Sequence, residues 1–262
     1  MKKKILAIVL CVAMLAIAVV GGTMAYFTDT KTQTNTFTAG KVNITLDEKE
    51  LAKDAAGNLL FDEDGELTYT NNRTEANQTY KLFPAMEVTK DPTITLSSES
   101  EDAYLAAIVT VKIPNSDLTV MRNEKMQLIH PDSHAMLMVG ALLKGGVVDT
   151  AVTLNKNHPL YGLNGMAVYT NDDYSVYQIP DPDNKTWTIY MFFEGAKSAS
   201  ASVTLFDTII VPDTWDNAEM ATVNEMTIDV DAYAVQANGF DNCYDAMIGA
   251  FPTVFPQKPA NP

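Results

Sequence analysis

Residues 104–113 read YLAAIVTVKI, and this stretch decides the class of fold. It carries β-branched and other apolar side chains without glycine or proline, which is typical of a buried central strand. Residues 41–47 (KVNITLD) and 93–96 (TITL) alternate polar and apolar side chains, as half-buried strands do. We predict further strands at 186–193, 203–211 and 226–237.

The last of these strands has two different faces. Ile228, Val230, Ala232 and Ala234 share one face, and Asp229, Asp231, Tyr233 and Val235 share the other. Glycines at 57 and 65 mark hairpin turns, and we interpret Asp64-Gly65 as a type I′ turn.

Helical signals are few and short, at 116–129, 215–220 and 242–251. The region 130–182 is rich in glycine and is interpreted as an elaboration between strands. Many short strands without βαβ alternation predict an all-β fold, a jelly-roll-like antiparallel β-sandwich with a few short helices and an elaborated middle region. We place the sandwich domain at 41–252 and a proline-rich tail without a fixed structure at 253–262.

The start of the chain has the pattern of an export signal. Lys2, Lys3 and Lys4 precede the apolar run 5–20, which is short for a membrane span. Small side chains lead us to place cleavage after Ala25, so that 1–25 is a signal peptide and Tyr26 the new N-terminus. The alternative is an uncleaved anchor, with residues 21–24 extending the span.

Charge and cysteine content limit the function. Cleavage would remove three lysines and no acidic residue, which changes the formal charge from −15 to −18. Such acidity argues against nucleic acid and anionic membranes as partners. Cys243 would be the single remaining cysteine, so an exported fold would depend on its core alone.

Threonine occupies every second position just after the signal. The β-branched side chain favours an extended strand, while its hydroxyl keeps that strand soluble. We therefore interpret 26–40 as an extended segment that can join a sheet. Its candidate interface residues are Phe27, Thr28, Thr30, Thr32, Thr34, Thr36, Phe37 and Thr38. Pairing within its own sheet, and a flexible leader, are the alternatives.

Four stretches together resemble one known family. They read GGTMAYFTD at 21–29, TFTAGKV at 36–42, LFPAMEVTKDP at 82–92 and AYAVQANGFD at 232–241. The chain resembles the camelysin/TasA-like family of biofilm matrix and surface fibre proteins of Gram-positive bacteria, which carry signal peptides for a SipW-type peptidase. The middle region 130–182 matches nothing in that family.

The resemblance implies a jelly roll and extracellular fibres. In such fibres the N-terminal segment of one subunit completes the sheet of the next, which makes the chain its own head-to-tail partner. The signal peptidase is a second partner, and an accessory fibre protein is a third. The expected function is thus a secreted, non-catalytic subunit of matrix fibres.

Members of the family have been described as metallopeptidases, which gives an alternative function. His130 and His134 have the spacing of a zinc motif, but Pro131 disfavours a helix there and no glutamate lies between them. His158 is the third histidine. We expect no catalytic residue and no cofactor. A monomeric adhesin that binds through 130–182 is the other alternative.

Calcium is the remaining candidate ligand. Asp62 and Asp64 belong to an acidic stretch that is similar to part of an EF-hand loop. Aligned on Gly65, the first and twelfth ligand positions fall on Leu60 and Asn71, which do not suit the loop. A hairpin turn explains the stretch without a metal ion.

Overall fold

The computed structural model describes residues 41–115, 159–160, 168–170, 173–181, 183–211, 213, 215–222 and 224–258. This part of the chain contains eleven strands and two helices. They are β1 (Ile44–Leu51), β2 (Tyr69–Thr74), β3 (Glu87–Thr89), β4 (Thr93–Leu96), β5 (Ala103–Lys112), β6 (Val168–Thr170), β7 (Tyr174–Asp181), β8 (Thr186–Phe193), β9 (Ser202–Thr204), β10 (Thr208–Ile210), α1 (Asn217–Thr222), β11 (Thr227–Gln236) and α2 (Cys243–Ala250).

The strands form two main sheets and a short ribbon. One sheet has the order β2-β1-β4-β9, the other has the order β11-β5-β8-β7-β6, and β10 pairs with β3. Every pairing between these strands is antiparallel. The predicted all-β class with an antiparallel sandwich is therefore confirmed, while the jelly-roll connectivity stays a prediction.

Strand β5 lies in the interior of its sheet, between β11 and β8, and is buried as the run 104–113 predicts. Leu105, Ala107 and Val109 belong to the core between the two sheets, together with Ile94 and Leu96 of β4. Because side chains of a strand alternate in direction, the intervening residues of β5 face the opposite way. A strand buried on both faces needs the continuous apolar run seen in this sequence.

The second core lies on the outer face of the five-stranded sheet. There Tyr104 and Ala106 of β5 pack with Tyr244 and Met247 of α2, and Phe255 completes the cluster. Asn242 begins α2 as an N-cap, since its side-chain oxygen accepts from the amide of Asp245 at 2.9 Å.

Several predicted elements are confirmed with small changes in their ends. Strands at 93–96 and 186–193 match β4 and β8, and 226–237 matches β11. The helices expected at 215–220 and 242–251 correspond to α1 and α2. The predicted strand 203–211 is instead two strands, because β9 pairs with β4 while β10 pairs with β3. The helix expected at 116–129 lies outside the described residues.

The prediction that the proline-rich tail lacks a fixed structure is wrong for residues up to 258. Phe255 is 2% exposed and packs on Phe192 with ring centroids 5.5 Å apart. The hydroxyl of Tyr244 donates to the carbonyl of Pro256 at 2.9 Å. Burial of one large aromatic ring compensates for the low helix and strand propensity of the segment.

Candidate functional site at the β11 edge

Strand β11 forms one edge of the five-stranded sheet. It pairs with β5 over its whole length, from Thr227 opposite Lys112 to Gln236 opposite Ala103. No other strand in the described ranges pairs with its second side. A long and regular edge strand of this kind is a template for pairing with another chain.

The hydrogen-bond pattern shows which backbone groups face the open side. The amide of Ala237 donates to the carbonyl of Asp102 at 2.8 Å, which makes this a hydrogen-bonded pair. In an antiparallel ladder such pairs alternate with non-bonded ones, so every second residue before Ala237 also bonds to β5. The residues between them direct one N–H and one C=O each to the open side. They are Ile228, Val230, Ala232, Ala234 and Gln236.

The side chains of this edge that face the core are incompletely covered. Val230 and Ala232 contact the core between the sheets but are only partly buried. The residues of β5 that lie directly opposite them, Val109 and Ala107, are 1% and 0% exposed. The difference arises because β5 has a strand on each side and β11 has one. A further strand on the open side would cover the remaining apolar surface.

The outer face of β11 has an acidic half and an aromatic half. Asp229 and Asp231 are exposed, and neither forms an ion pair within the described part of the chain. Tyr233 packs edge-on against Phe251 and Phe255, with ring centroids 5.2 and 5.1 Å away. Burial, and then the nearby charge of Asp231, raises the pKa of Tyr233.

The C-terminal end of the edge is held in place by a turn and by α2. The amide of Phe240 donates to the carbonyl of Ala237 at 3.2 Å, directly after the last bond to β5. Gly239 takes a φ of 96°, which glycine adopts without strain. The chain then enters α2, so the strand has a fixed end.

A buried polar cluster lies on the other sheet. The Nζ of Lys90 contacts Oε2 of Glu48, and both residues are less than 10% exposed. Oε1 of Glu48 accepts from Gln78 at 3.0 Å and from the hydroxyl of Tyr80 at 3.2 Å. Burial and the adjacent carboxylate raise the pKa of Tyr80 above its usual range. Every polar group here has a partner, so the cluster ties β1 to the segment 78–90 and is not poised for chemistry.

An aromatic cleft of about 500 Å³ lies beside the second hairpin turn. Phe61 and Phe83 are 38% and 43% exposed, and their rings meet edge to face at 6.3 Å. The acidic residues Asp64 and Glu66 border the cleft. Nothing in the described structure shows what covers it.

The two hairpin turns share one geometry. The carbonyls of Asp54 and Asp62 accept from the amides of Gly57 and Gly65, and each Asp carboxylate accepts two further backbone amides. Hydrogen bonds from the side chain and backbone of Asn58 hold the pKa of Asp54 below its usual value.

The expected type I′ turn at Asp64-Gly65 is wrong. That turn needs a positive φ at both central residues, and of these two only Gly65 has one, at 84°. The geometry is a type I turn closed by a left-handed glycine, because the Asp62 side chain stabilises the turn from its first position.

The structure places the calcium candidates but not the other predicted site residues. One oxygen of the Asp62 carboxylate, Oδ1, accepts from the amides of Asp64 and Glu66 in its own turn. Across the described ranges, no group of three or more His, Cys, Asp or Glu side chains is placed to hold a metal ion. Outside the described residues lie Ala25, Tyr26, Phe27, Thr28, Thr30, Thr32, Thr34, Thr36, Phe37, Thr38, His130, His134 and His158.

The sequence predicts strand β11 but not its position at an edge of the sheet. The signal was the alternation of apolar residues with Asp229 and Asp231, which is typical of a strand with one exposed face. The fold defines an all-β sandwich protein, and β11 is the longest edge strand within its described ranges.

The N-terminal part of the chain is similar to a known protein family. Residues 1–55 match the family model of the camelysin metallo-endopeptidases, a match that ends just beyond β1. It supports the resemblance to camelysin and TasA-like proteins and indicates a secreted or cell-surface protein. The family name describes an enzyme. No curated protein and no solved structure matches the chain. None of the described helices is long and apolar enough to cross a membrane.

Proposed function

We propose that the protein is a secreted structural subunit of extracellular matrix fibres. In this proposal the N-terminal segment 26–38 of one subunit pairs with the β11 edge of the next, head to tail. The observation that supports it is an open ten-residue strand in a chain whose N-terminal segment has strand-forming alternation of matching length. Backbone hydrogen bonds supply much of the affinity in such strand addition.

Export and assembly are linked in this proposal. A SipW-type signal peptidase cuts after Ala25 and frees Tyr26 as the first residue of the donor segment. Before cleavage the apolar run 5–20 holds the segment at the membrane, where it cannot reach another subunit. The product is a homopolymer on the surface of a Gram-positive bacterium. An accessory fibre protein that starts the polymer would bind at the same β11 edge.

The test compares the mature chain starting at Tyr26 with a variant that lacks 26–38. We expect fibres from the first in electron micrographs, and a folded monomer from the second. A synthetic peptide of residues 26–38 should bind that monomer, which separates loss of the donor from loss of the fold. Undiminished fibres from the shortened variant would contradict the proposal. Monomers from both proteins would indicate pairing within one chain.

A metal-dependent peptidase is the second candidate, because the matched family is named for that activity. Its ligands would be His130 and His134, with His158 as the third histidine. Zinc that copurifies with the protein, and is lost together with peptide cleavage in His130→Ala, would favour it. His158→Ala, measured beside it, tests the third ligand. Metal-free protein that forms fibres favours the structural proposal.

A further inference from the structure

The donor segment has two unlike faces, and the β11 edge distinguishes between them. Threonines occupy the even positions 28–38, whereas Asp29, Lys31 and Gln33 lie between them. We propose that the threonine face lies inward on β11 and that Lys31 pairs with Asp231 of the next subunit, with the two strands antiparallel. This inference rests on the proposed function and adds the face, the direction and the register.

The inward face follows from the incomplete burial of the edge. A strand added to β11 places one face beside Ile228, Val230, Ala232 and Ala234, which are apolar and partly buried. Threonine suits this position, since its methyl group packs while its hydroxyl still reaches water at the rim. The opposite choice would place Asp29 and Lys31 against apolar side chains, at a desolvation cost.

The outward face follows from charge. The exposed carboxylates of Asp229 and Asp231 oppose pairing of β11 with another β11, because like charges would then lie close together. A strand with a lysine in the middle of its outer face is attracted to the same position. Lys31 is the single basic residue between Tyr26 and Gly40. The acidic pair thus selects the donor segment over a second edge.

The register follows from the positions of the charges. With Lys31 opposite Asp231, Phe27 lies opposite Val235 and Gln33 lies opposite Asp229. A shift by two residues in one direction places Asp29 opposite Asp231, and a shift in the other direction loses the ion pair. Side chains are closer in the non-hydrogen-bonded pairs of an antiparallel ladder. Because the backbone of Asp231 bonds to β5, its pair with Lys31 on the other side of β11 would be of this closer kind.

An antiparallel direction agrees with the rest of the fold. Each named strand pair in the described structure is antiparallel, and this arrangement is slightly more stable per residue. In this register Thr28 lies opposite Ala234, whereas a parallel donor that keeps Lys31 opposite Asp231 would place Thr34 there. The two directions therefore predict different neighbours for one residue.

Charge exchange tests the register. Lys31→Glu and Asp231→Lys should each raise the critical concentration for fibre formation about three- to tenfold, as expected for an exposed cross-strand pair turned repulsive. The double variant should return close to the unsubstituted value. Lys41→Glu is the matched control, because it makes the same charge change outside the pairing and should have no effect. A double variant no better than the singles would overturn the register.

Cysteine pairs test the direction. In one mature chain that carries Thr28→Cys and Ala234→Cys, oxidation should link neighbouring subunits. Thr34→Cys with Ala234→Cys should not link them, and the reverse result would overturn the antiparallel direction. The native Cys243 does not interfere, since it is 5% exposed and its thiol donates to the carbonyl of Leu105 at 3.1 Å.

Proline substitutions test the face. Thr32→Pro removes an amide that faces β11 and should prevent fibre formation, whereas Gln33→Pro removes one that faces away and should be tolerated. The opposite result would overturn the inward threonine face. Fibres that persist without 26–38 would contradict the proposed function itself. Fibres that need 26–38 but ignore all these substitutions would overturn only the present inference.

Discussion

Two of the edge strands, β11 and β2, differ in how regularly they pair with their neighbours. β11 pairs with its neighbour in an unbroken register of ten residues. β2 has six residues, its register shifts between Lys49 and Leu51 of β1, and Arg73 reaches across to Asp47 and Asp91. Irregular pairing and bridging charges are ordinary means of protecting an edge from other chains. β2 thus has the irregular pairing that discourages further strands and β11 does not, and the proposal of β11 as the acceptor rests on this contrast.

The largest effect should come from proline in the middle of the open edge. Val230→Pro removes an amide that faces outward, so the sheet itself loses no hydrogen bond. We expect a folded protein without fibres, seen by electron microscopy, with circular dichroism to confirm the fold. Ala232→Pro should behave alike. Asn71→Pro, in the part of β2 without a registered partner, is the control and should leave fibres unchanged. Normal fibres from both edge variants would contradict the proposal that β11 is the acceptor strand.

The second largest effect concerns the ion pair that ties β1 to the segment 78–90. Glu48→Ala leaves Lys90 buried without its partner and should lower the free energy of unfolding by about 3–5 kcal/mol. Urea denaturation measures this loss. The double variant Glu48→Met with Lys90→Met should recover much of it, because no unpaired charge stays buried. A loss below about 1 kcal/mol in Glu48→Ala would show that the pair is solvated.

The third prediction concerns β7, on the far side of the five-stranded sheet from β11. Burial, and then the neighbouring Tyr190 and Tyr244, raises the pKa of Tyr177 to about 12. The unfolded chain ionises near pH 10 and therefore loses its proton first as the pH rises. Tyr177 thus contributes stability below about pH 10 that is lost as the pH rises to about 12.

Replacement of the phenol tests this assignment. In Tyr177→Phe the free energy of unfolding should fall less steeply between pH 10 and about pH 12 than in the unsubstituted protein. Thr188→Val on β8 alters no titratable group and serves as the control. An unchanged slope in Tyr177→Phe would assign the alkaline loss to other tyrosines.

The smallest effect should come from the ion pairs that Arg73 of β2 forms with Asp47 and Asp91. Arg73→Ala removes two ion pairs in which the guanidinium is exposed and the two carboxylates are partly buried, and should cost about 1 kcal/mol in urea denaturation. Fibre formation should stay unchanged, since β2 keeps its short length and its irregular register. Lateral association of fibres in this variant would show that Arg73 prevents other strands from pairing with β2.

Much of the fold could be read from local patterns. The apolar run around Val109 requires a strand buried on both faces, and the alternation around Asp229 requires a strand with one exposed face. Other elements had no local signal. β7 contains Pro180, and the run 203–211 reads as one strand although its two halves pair with different partners. Pairing partners depend on residues far away in the chain, which a local pattern does not contain.

The candidate site, like the fold, is only partly predictable from the sequence. The alternating threonines determine by themselves an extended and soluble segment, because β-branching and hydroxyl hydration act within each residue. The sequence also determined that Asp229 and Asp231 share one face of their strand, since side chains of a strand alternate. Only the tertiary structure decided that, within the described ranges, this strand pairs with β5 on one side and with no strand on the other. An edge is a property of the whole sheet, set by which strands pair, and the alternation around Asp229 and Asp231 specifies an exposed face but not an edge.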